Sequence, residues 1–317
     1  MEKGNKRMAV LVGCNYPNSR NELHGCINDV VAMRELLVKR FRFESTHIQL
    51  LVDSTVAGLS SVMPTGINIK KALDAMVDEA KPGDVLFFHY SGHGTRIPSL
   101  KPGHPFRQDE AIVPCDFNLI TDMDFRQLVN RLPKGTSFTI LSDSCHSGGL
   151  IDKEKEQIGP NHISTNTTKL RHISKSIPFE SIIEHLASLT GINTSDTATH
   201  FLELFGADAS LKFKLPKFKF DDPSELEIKP DEGILLSGCQ ANETSADMNP
   251  IEKGEKAYGA FSNSVQMVLK QHLEVLSNNE VVLMARKVLE TQGFDQHPCL
   301  YCSDKNADSA FLWQLEN

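Results

Sequence analysis

The sequence predicts an α/β fold, with a mostly parallel central sheet flanked by helices, and three observations carry that expectation. Short, wholly apolar runs recur along the chain. Stretches of helical period separate them, and each run is bounded by Gly, Pro, Asp or Ser. In order, Met8 to Val12 reads as a buried strand, and Ile27, Val30, Val31 and Leu37 then share one helical face. Ile48 to Val52 is the next strand, followed by a helix carrying Ile69, Leu73, Met76, Val77 and Ala80. Val85 to Tyr90 and Ala111 to Val113 are strands. Thr121 or Asp122 can cap a helix bearing Phe125, Leu128 and Val129, and Phe138 to Leu141 closes a block that ends near Leu150.

From Asp152 to about Pro230 the composition shifts to Lys, Glu, Ser, Thr and Asn. A hydrophobic helical stretch, Phe179 to Leu189, and an alternation of Lys with apolar residues from Leu211 to Phe220 make this a linker of partial order. The α/β pattern then resumes with a strand over Gly233 to Ser237, helices at about Gly259 to Lys270 and Glu280 to Gln292, and a short strand near Leu300. The chain therefore divides into residues 1–155, a linker at 156–230 and a closing region at 231–317. A linker of that length within a compact domain is generally functional or disordered.

Composition excludes several classes. The 317 residues are 40% apolar, enough for a substantial core, and no run approaches the roughly 18 apolar residues of a membrane helix. With 33 Lys+Arg against 41 Asp+Glu the formal charge is -8, which repels nucleic acid and favours basic partners. Seven cysteines, an odd number scattered over a long chain, fit a reducing compartment. Behind the polar Met1 to Arg7, the run Met8 to Val12 is too short for a signal-peptide core. A cytoplasmic or nuclear protein is expected, although unconventional export would leave no mark in the sequence.

Two strands end in residues that carry chemistry. Val85 to Tyr90 empties into Ser91-Gly92-His93-Gly94, and Ser137 to Leu141 empties into Ser142-Asp143-Ser144-Cys145-His146-Ser147-Gly148-Gly149. Open α/β sheets bind ligands beyond the carboxyl ends of their strands, so a histidine and a cysteine placed there can meet. A histidine partner raises the thiolate fraction of a cysteine, the first requirement for attack on an amide. A lone cysteine at a turn is most often a small buried residue. Here Cys145 follows a strand and lies 52 residues after His93, close to the roughly 50-residue spacing of caspases. His89, within its strand, and His146, beside Cys145, are weaker candidates for the base.

The strings Tyr90-Ser91-Gly92-His93-Gly94-Thr95 and Asp143 to Gly149 resemble those of metacaspases. Asn21 to Val30, Asp109 to Asp116 and Gly238-Cys239-Gln240-Ala241 match as well, and the whole is similar to the short-linker plant type II group. The resemblance covers roughly residues 7–160 and 232–310 and is weak across the linker. It implies the caspase-like fold and a cysteine endopeptidase cutting proteins and peptides after Arg or Lys, with Cys145 as nucleophile and His93 as base. The backbone N–H groups of Gly94 and Cys145 would form the oxyanion hole, and Cys26, Asp29, Ser91 and Asp143 would bind the basic side chain. Carboxylates in a cleft suit a guanidinium or ammonium group.

The resemblance further implies a monomeric zymogen that cuts itself in the linker. Lys175 is the favoured point, ahead of Arg171 and Lys169, because it precedes the apolar Ile177-Pro178-Phe179. Asp109, Asp122, Asp124 and Asp152 match an acidic calcium-binding set, yet Met123 stands where calcium-dependent relatives carry aspartate. A thioether is a poor ligand for that hard ion, so no cofactor is required and calcium is not expected to be essential. Two rivals stand against this reading. One is a redox or zinc module on Cys299 and Cys302 with His297 nearby, and the other a binding protein that keeps the fold without the chemistry.

Overall fold

The computed structural model describes residues 5–98, 108–146, 148–151, 155–159, 172–192, 194, 196–214, 233–240, 243–250 and 254–312. The expected Asp152, Arg171 and Lys169 lie outside them, as do the expected division points near 230 and parts of the linker.

The first elements are β1 (Arg7–Gly13), α1 (Cys26–Lys39), β2 (Ile48–Val52), α2 (Gly66–Glu79) and β3 (Val85–Ser91). They are followed by β4 (Gly94–Pro98), β5 (Gln108–Ile112), β6 (Ile120–Thr121), α3 (Asp122–Asn130) and β7 (Ser137–Asp143). Next come β8 (Glu156–Ile158), β9 (Ile173–Ser174), α4 (Phe179–Thr190), α5 (Thr197–Phe205) and α6 (Leu211–Lys214). The chain closes with β10 (Ile234–Ser237), β11 (Ala246–Met248), β12 (Tyr258–Gly259), α7 (Ala260–Gln271), α8 (Asn278–Thr291), β13 (Cys299–Tyr301) and α9 (Asp304–Asp308).

The central sheet has the order β2-β1-β3-β7-β10-β13-β8. Its first five strands are mutually parallel, and β13 and β8 add antiparallel pairs at one side. Because side chains alternate across a strand, β1 feeds two cores: Ala9 and Leu11 join one with residues of α1, α7 and α8, while Met8, Val10 and Val12 join the other with residues of α2 and α3. Burial on both faces explains why these strands read as unbroken apolar runs. Thr65, whose hydroxyl accepts from the Asn68 N–H, starts α2, and a reciprocal Ser277/Glu280 cap starts α8.

One element departs from the sequence reading. Ala111 and Ile112 belong to β5, in a small antiparallel sheet of order β4-β5-β6, because Gly94 to Pro98 folds back against them instead of leaving them to the central sheet. Within the linker the expected helical stretch forms α4. Phe179, Ile182 and Leu186 of α4, Phe201 of α5 and Phe213 of α6 form one core with Ile97, Ala111, Val113 and Leu119. Phe201 stacks on Phe213 with centroids 3.9 Å apart, so a few aromatics at wide spacing supply the burial that composition concealed.

Candidate active site

Register places the two chemical residues. Strands β3 and β7 pair in parallel with Ser91 opposite Asp143, so His93 and Cys145 each stand two residues beyond the same rung, at the carboxyl edge. Gly92 lies so close to the Tyr90 and Tyr16 hydroxyls that a β-carbon would collide with them, which accounts for glycine before the histidine. Gly94 is tighter still, since a β-carbon there would overlap the Cys145 carbonyl oxygen. Cys145 is followed by His146 in a left-handed backbone conformation, φ 57°, and Glu110 accepts from the Gly149 N–H, so the turn after the cysteine is held from the small sheet.

The His93 ring is buried against Tyr16, with centroids 4.8 Å apart, and its Nε2 lies 2.8 Å from the Asn21 carbonyl oxygen. A carbonyl only accepts, so Nε2 carries the proton and Nδ1, buried and without a hydrogen-bond partner, keeps its lone pair. Burial pulls the ring's pKa down to about 4, against an opposing pull from the Asn21 and Lys175 backbones. The ring is therefore neutral at neutral pH and able to take a proton.

Cys145 is equally enclosed. Burial works to raise its thiol pKa, yet the hydrogen bonds from Cys239, Ser174 and the Ser245 backbone, with the charge of Lys175, outweigh burial and bring it below the ordinary value. The Ser245 N–H reaches the sulfur at 3.0 Å. This is the environment of a reactive thiol rather than an inert core cysteine.

A segment of the linker runs through this site. Ile173 and Ser174, as β9, pair antiparallel with Asp247 and Ala246 of β11, and the Lys175 N–H donates to the Ser245 carbonyl at 2.9 Å. The Lys175 carbonyl oxygen accepts from the Gly94 N–H at 3.0 Å and the Cys145 N–H at 3.2 Å. On the far side Ile177 donates to the Gly94 carbonyl at 3.1 Å. The expected oxyanion donors thus converge on one carbonyl, and Ser174 Oγ lies 3.7 Å from the Cys145 sulfur.

The Lys175 side chain is completely buried. Its Nζ lies 3.1 Å from Asp143 Oδ2, 2.9 Å from Ser91 Oγ and 3.6 Å from Asp29 Oδ2. Asp29 is held by the Gly259 N–H at 2.9 Å and by Ser91 Oγ–H at 2.7 Å, and Asp143 by the Ser262 N–H at 2.9 Å. Burial tends to lower the Lys175 pKa, but Asp143, Cys26, Asp29 and Asp247 together drive it above the ordinary lysine value. Burial shifts Asp29 upward, with Lys175 as the chief restraint. Cys26, at the start of α1, touches Ser91 through its thiol and closes the pocket wall, so all four expected pocket residues meet around one ammonium group.

Sequence reasoning missed Asn21 as the partner of His93, Ser245 as the partner of Cys145 and Lys175, Gly259 behind Asp29, and Asp247. The Asp247 carboxylate accepts from the His24 and Gly25 N–H groups at 2.9 Å, tying β11 to the start of α1. No local periodicity singles these residues out, since each acts across more than 50 positions of chain. His89 is no rival base. It is buried in β3, with Nε2 3.0 Å from Ser262 Oγ, and burial pulls its pKa to about 3.

Other readings end here. Neither Cys299 nor Cys302 is in a disulfide, and a spacing of three along an extended chain turns them to opposite sides. Among the described residues no group of three metal-ligating side chains is brought together. Three of the four expected acidic residues lie among the described residues, each with a partner of its own. Asp109 pairs with Lys212, Asp122 with Arg126 at 2.9 Å, and Asp124 accepts from the Thr121 and Leu211 N–H groups and Ser210. Asp122 Oδ1 is buried without a hydrogen-bond partner.

A family model described as "Caspase domain" matches residues 6–308. The chain belongs to this family, among the metacaspases. It is 62% identical to metacaspase-9 of Arabidopsis thaliana over 98% of this chain and 97% of that one, and 39% identical to metacaspase-6 of the same plant over 96% and 99%. A solved structure of a protein from Geobacter sulfurreducens, 19% identical, superposes with a TM-score of 0.61 over 96% of this chain and 97% of its own, a likeness of fold. The metacaspase is accordingly a cysteine-type peptidase of the caspase clan. Among the described residues no helix is long and apolar enough to cross a membrane.

Proposed function

We propose that this metacaspase is a zymogen that cleaves its own chain after Lys175 and thereafter cleaves protein substrates after Arg or Lys. One observation carries the reading: Lys175 lies across the site as a substrate would, its carbonyl between two N–H donors and its ammonium among carboxylates. In this mechanism His93 Nδ1 accepts the Cys145 proton, and the thiolate attacks the Lys175 carbonyl carbon. The N–H groups of Gly94 and Cys145 stabilise the oxyanion, and His93 returns the proton to the departing Ser176 amine. Water then hydrolyses the thioester. Once Lys175 leaves, Asp29 and Asp143 face one another without a counterion, and a like-charged buried pair favours a new cation and repels an acidic side chain.

The full chain and its Lys175→Ala and Lys175→Arg variants decide this by incubation and amino-terminal sequencing of the small fragment. Wild type and Lys175→Arg should yield a fragment beginning at Ser176, and Lys175→Ala should not. A start elsewhere in wild type overturns the assignment. Activity should need no calcium, because tethered cations occupy Asp109 and Asp122. A rise of more than about tenfold on adding millimolar calcium to chelated enzyme would refute this. The enzyme acts as a monomer in the cytoplasm or nucleus. Light scattering of the purified chain tests the first point.

A further inference from the structure

We infer that Cys145 and Cys239 form a reversible intramolecular disulfide under peroxide, which shelters the nucleophile from irreversible oxidation. Cys239 lies just beyond β10, the strand paired with β7, and the Gly238 N–H donates to the Ser142 carbonyl at 2.8 Å, so the two strand ends are stitched side by side. The Cys239 thiol faces the carbonyl of Ser144, the residue before the nucleophile, at 4.0 Å and that of Glu243 at 3.5 Å, and it and the Cys145 thiol each shift the other's proton affinity. Extending the Ser237–Ser142 register by two residues sets Cys239 beside Ser144 and so next to Cys145, and a disulfide spans α-carbons roughly 4.4–6.8 Å apart. Both cysteines are otherwise unpaired.

Cys239 helps lower the Cys145 pKa but takes part in no bond-making step of the peptidase reaction, and its place beside the nucleophile is what a resolving thiol needs. The Cys145 thiolate attacks one oxygen of hydrogen peroxide, giving the sulfenic acid and, with a proton, water. The Cys239 sulfur then attacks the sulfenic sulfur, expelling a second water and leaving the disulfide. A thiol donor reduces it by exchange. With Cys239 already alongside, this closure outruns a second peroxide, which would carry Cys145 to the irreversible sulfinic acid. In the uncut chain Cys145 has no exposed surface, so the chemistry belongs to the processed enzyme.

This inference rests on Cys145 being the nucleophile, and the test separates the two ideas. Processed wild type and Cys239→Ser are assayed on an Arg peptide, treated with hydrogen peroxide, alkylated, digested without reductant and examined by mass spectrometry. Absence of activity before peroxide would count against the peptidase reading alone. The expected result is a peptide pair joined through Cys145 and Cys239 in wild type, and after dithiothreitol about tenfold more recovered activity than in Cys239→Ser, whose Cys145 carries the sulfinic acid. Sulfinic acid on wild-type Cys145 with no joined pair would overturn the inference, as would equal recovery in both proteins. Should Cys239→Ser fail to fold, the joined pair in wild type decides alone.

Discussion

The ends of β3 and β7 and the linker segment from Ile173 to Ile177 meet at one site but are built in opposite ways. The strand ends sit on a parallel ladder in which Ser91 pairs with Asp143, so rigid, doubly buried strands set the places of His93 and Cys145. The linker segment has almost no structure of its own. It is extended by borrowing partners from Ser245, Ala246, Asp247 and Gly94, each far away in sequence. A frame that performs chemistry has to be fixed before the substrate arrives, whereas a segment to be cut has to adopt whatever shape the frame imposes.

The largest effect expected follows from that frame. Replacing Cys145 or His93 by alanine should each lower peptidase turnover by roughly a thousandfold or more, because nucleophile and base act as a unit. The linker segment should then remain seated, and the full-length chain should run as a single uncut species on a denaturing gel. If Cys145→Ala kept above a tenth of the wild-type rate, the strand ends would not be the reacting frame.

Next comes the contact where the two regions touch. Asp143→Asn removes one carboxylate 3.1 Å from the buried ammonium group, and breaking a buried, hydrogen-bonded charge pair costs about 3 kcal/mol, a hundredfold or more. Processing after Lys175 and kcat/KM on Arg and Lys peptides should fall together by that factor. A fall in one with the other intact would show that the linker and free substrates use different pockets.

The same contrast explains what could be read in advance. Central strands, most helices and both strand-end motifs were legible, since apolar period and flanking glycines are local signals. The meeting of Cys26, Asp29, Ser91 and Asp143 came from family resemblance rather than from pattern. Asn21, Ser245, Asp247 and Gly259 were not legible, because their roles arise only when distant loops close on the sheet. In the linker the helical stretch Phe179 to Leu189 was legible but the core was not, because polar residues outnumber Phe179, Phe201, Phe205 and Phe213, and those rings supply it. Phe201→Ala should cost that core about 3 kcal/mol. Hydrogen exchange should accelerate across 179–214 and stay unchanged in β1, β3 and β7, and uniform acceleration would mean that the linker and the sheet unfold as one unit.

The smallest expected effect probes the wall between the regions through His89. It is completely buried in β3, its Nε2 is 3.0 Å from Ser262 Oγ, and Asp143, which would favour its charge, and Lys175, which opposes it, both act on it. Burial dominates and lowers its pKa to about 3, against an ordinary value of about 6.5 in the unfolded chain. Between those two values the unfolded chain binds a proton that the folded chain does not, so the contribution of His89 to stability is full above the higher value and is lost as the pH falls below it. Asparagine at this position cannot titrate. The stability of wild type relative to His89→Asn, measured by urea unfolding, should therefore shrink by about 2 kcal/mol between pH 7 and pH 5, at about 1.4 kcal/mol per unit below the unfolded value. A gap that stayed constant would mean that His89 keeps its proton-binding capacity in the folded chain, and with it that water reaches the floor of the pocket beneath Asp143.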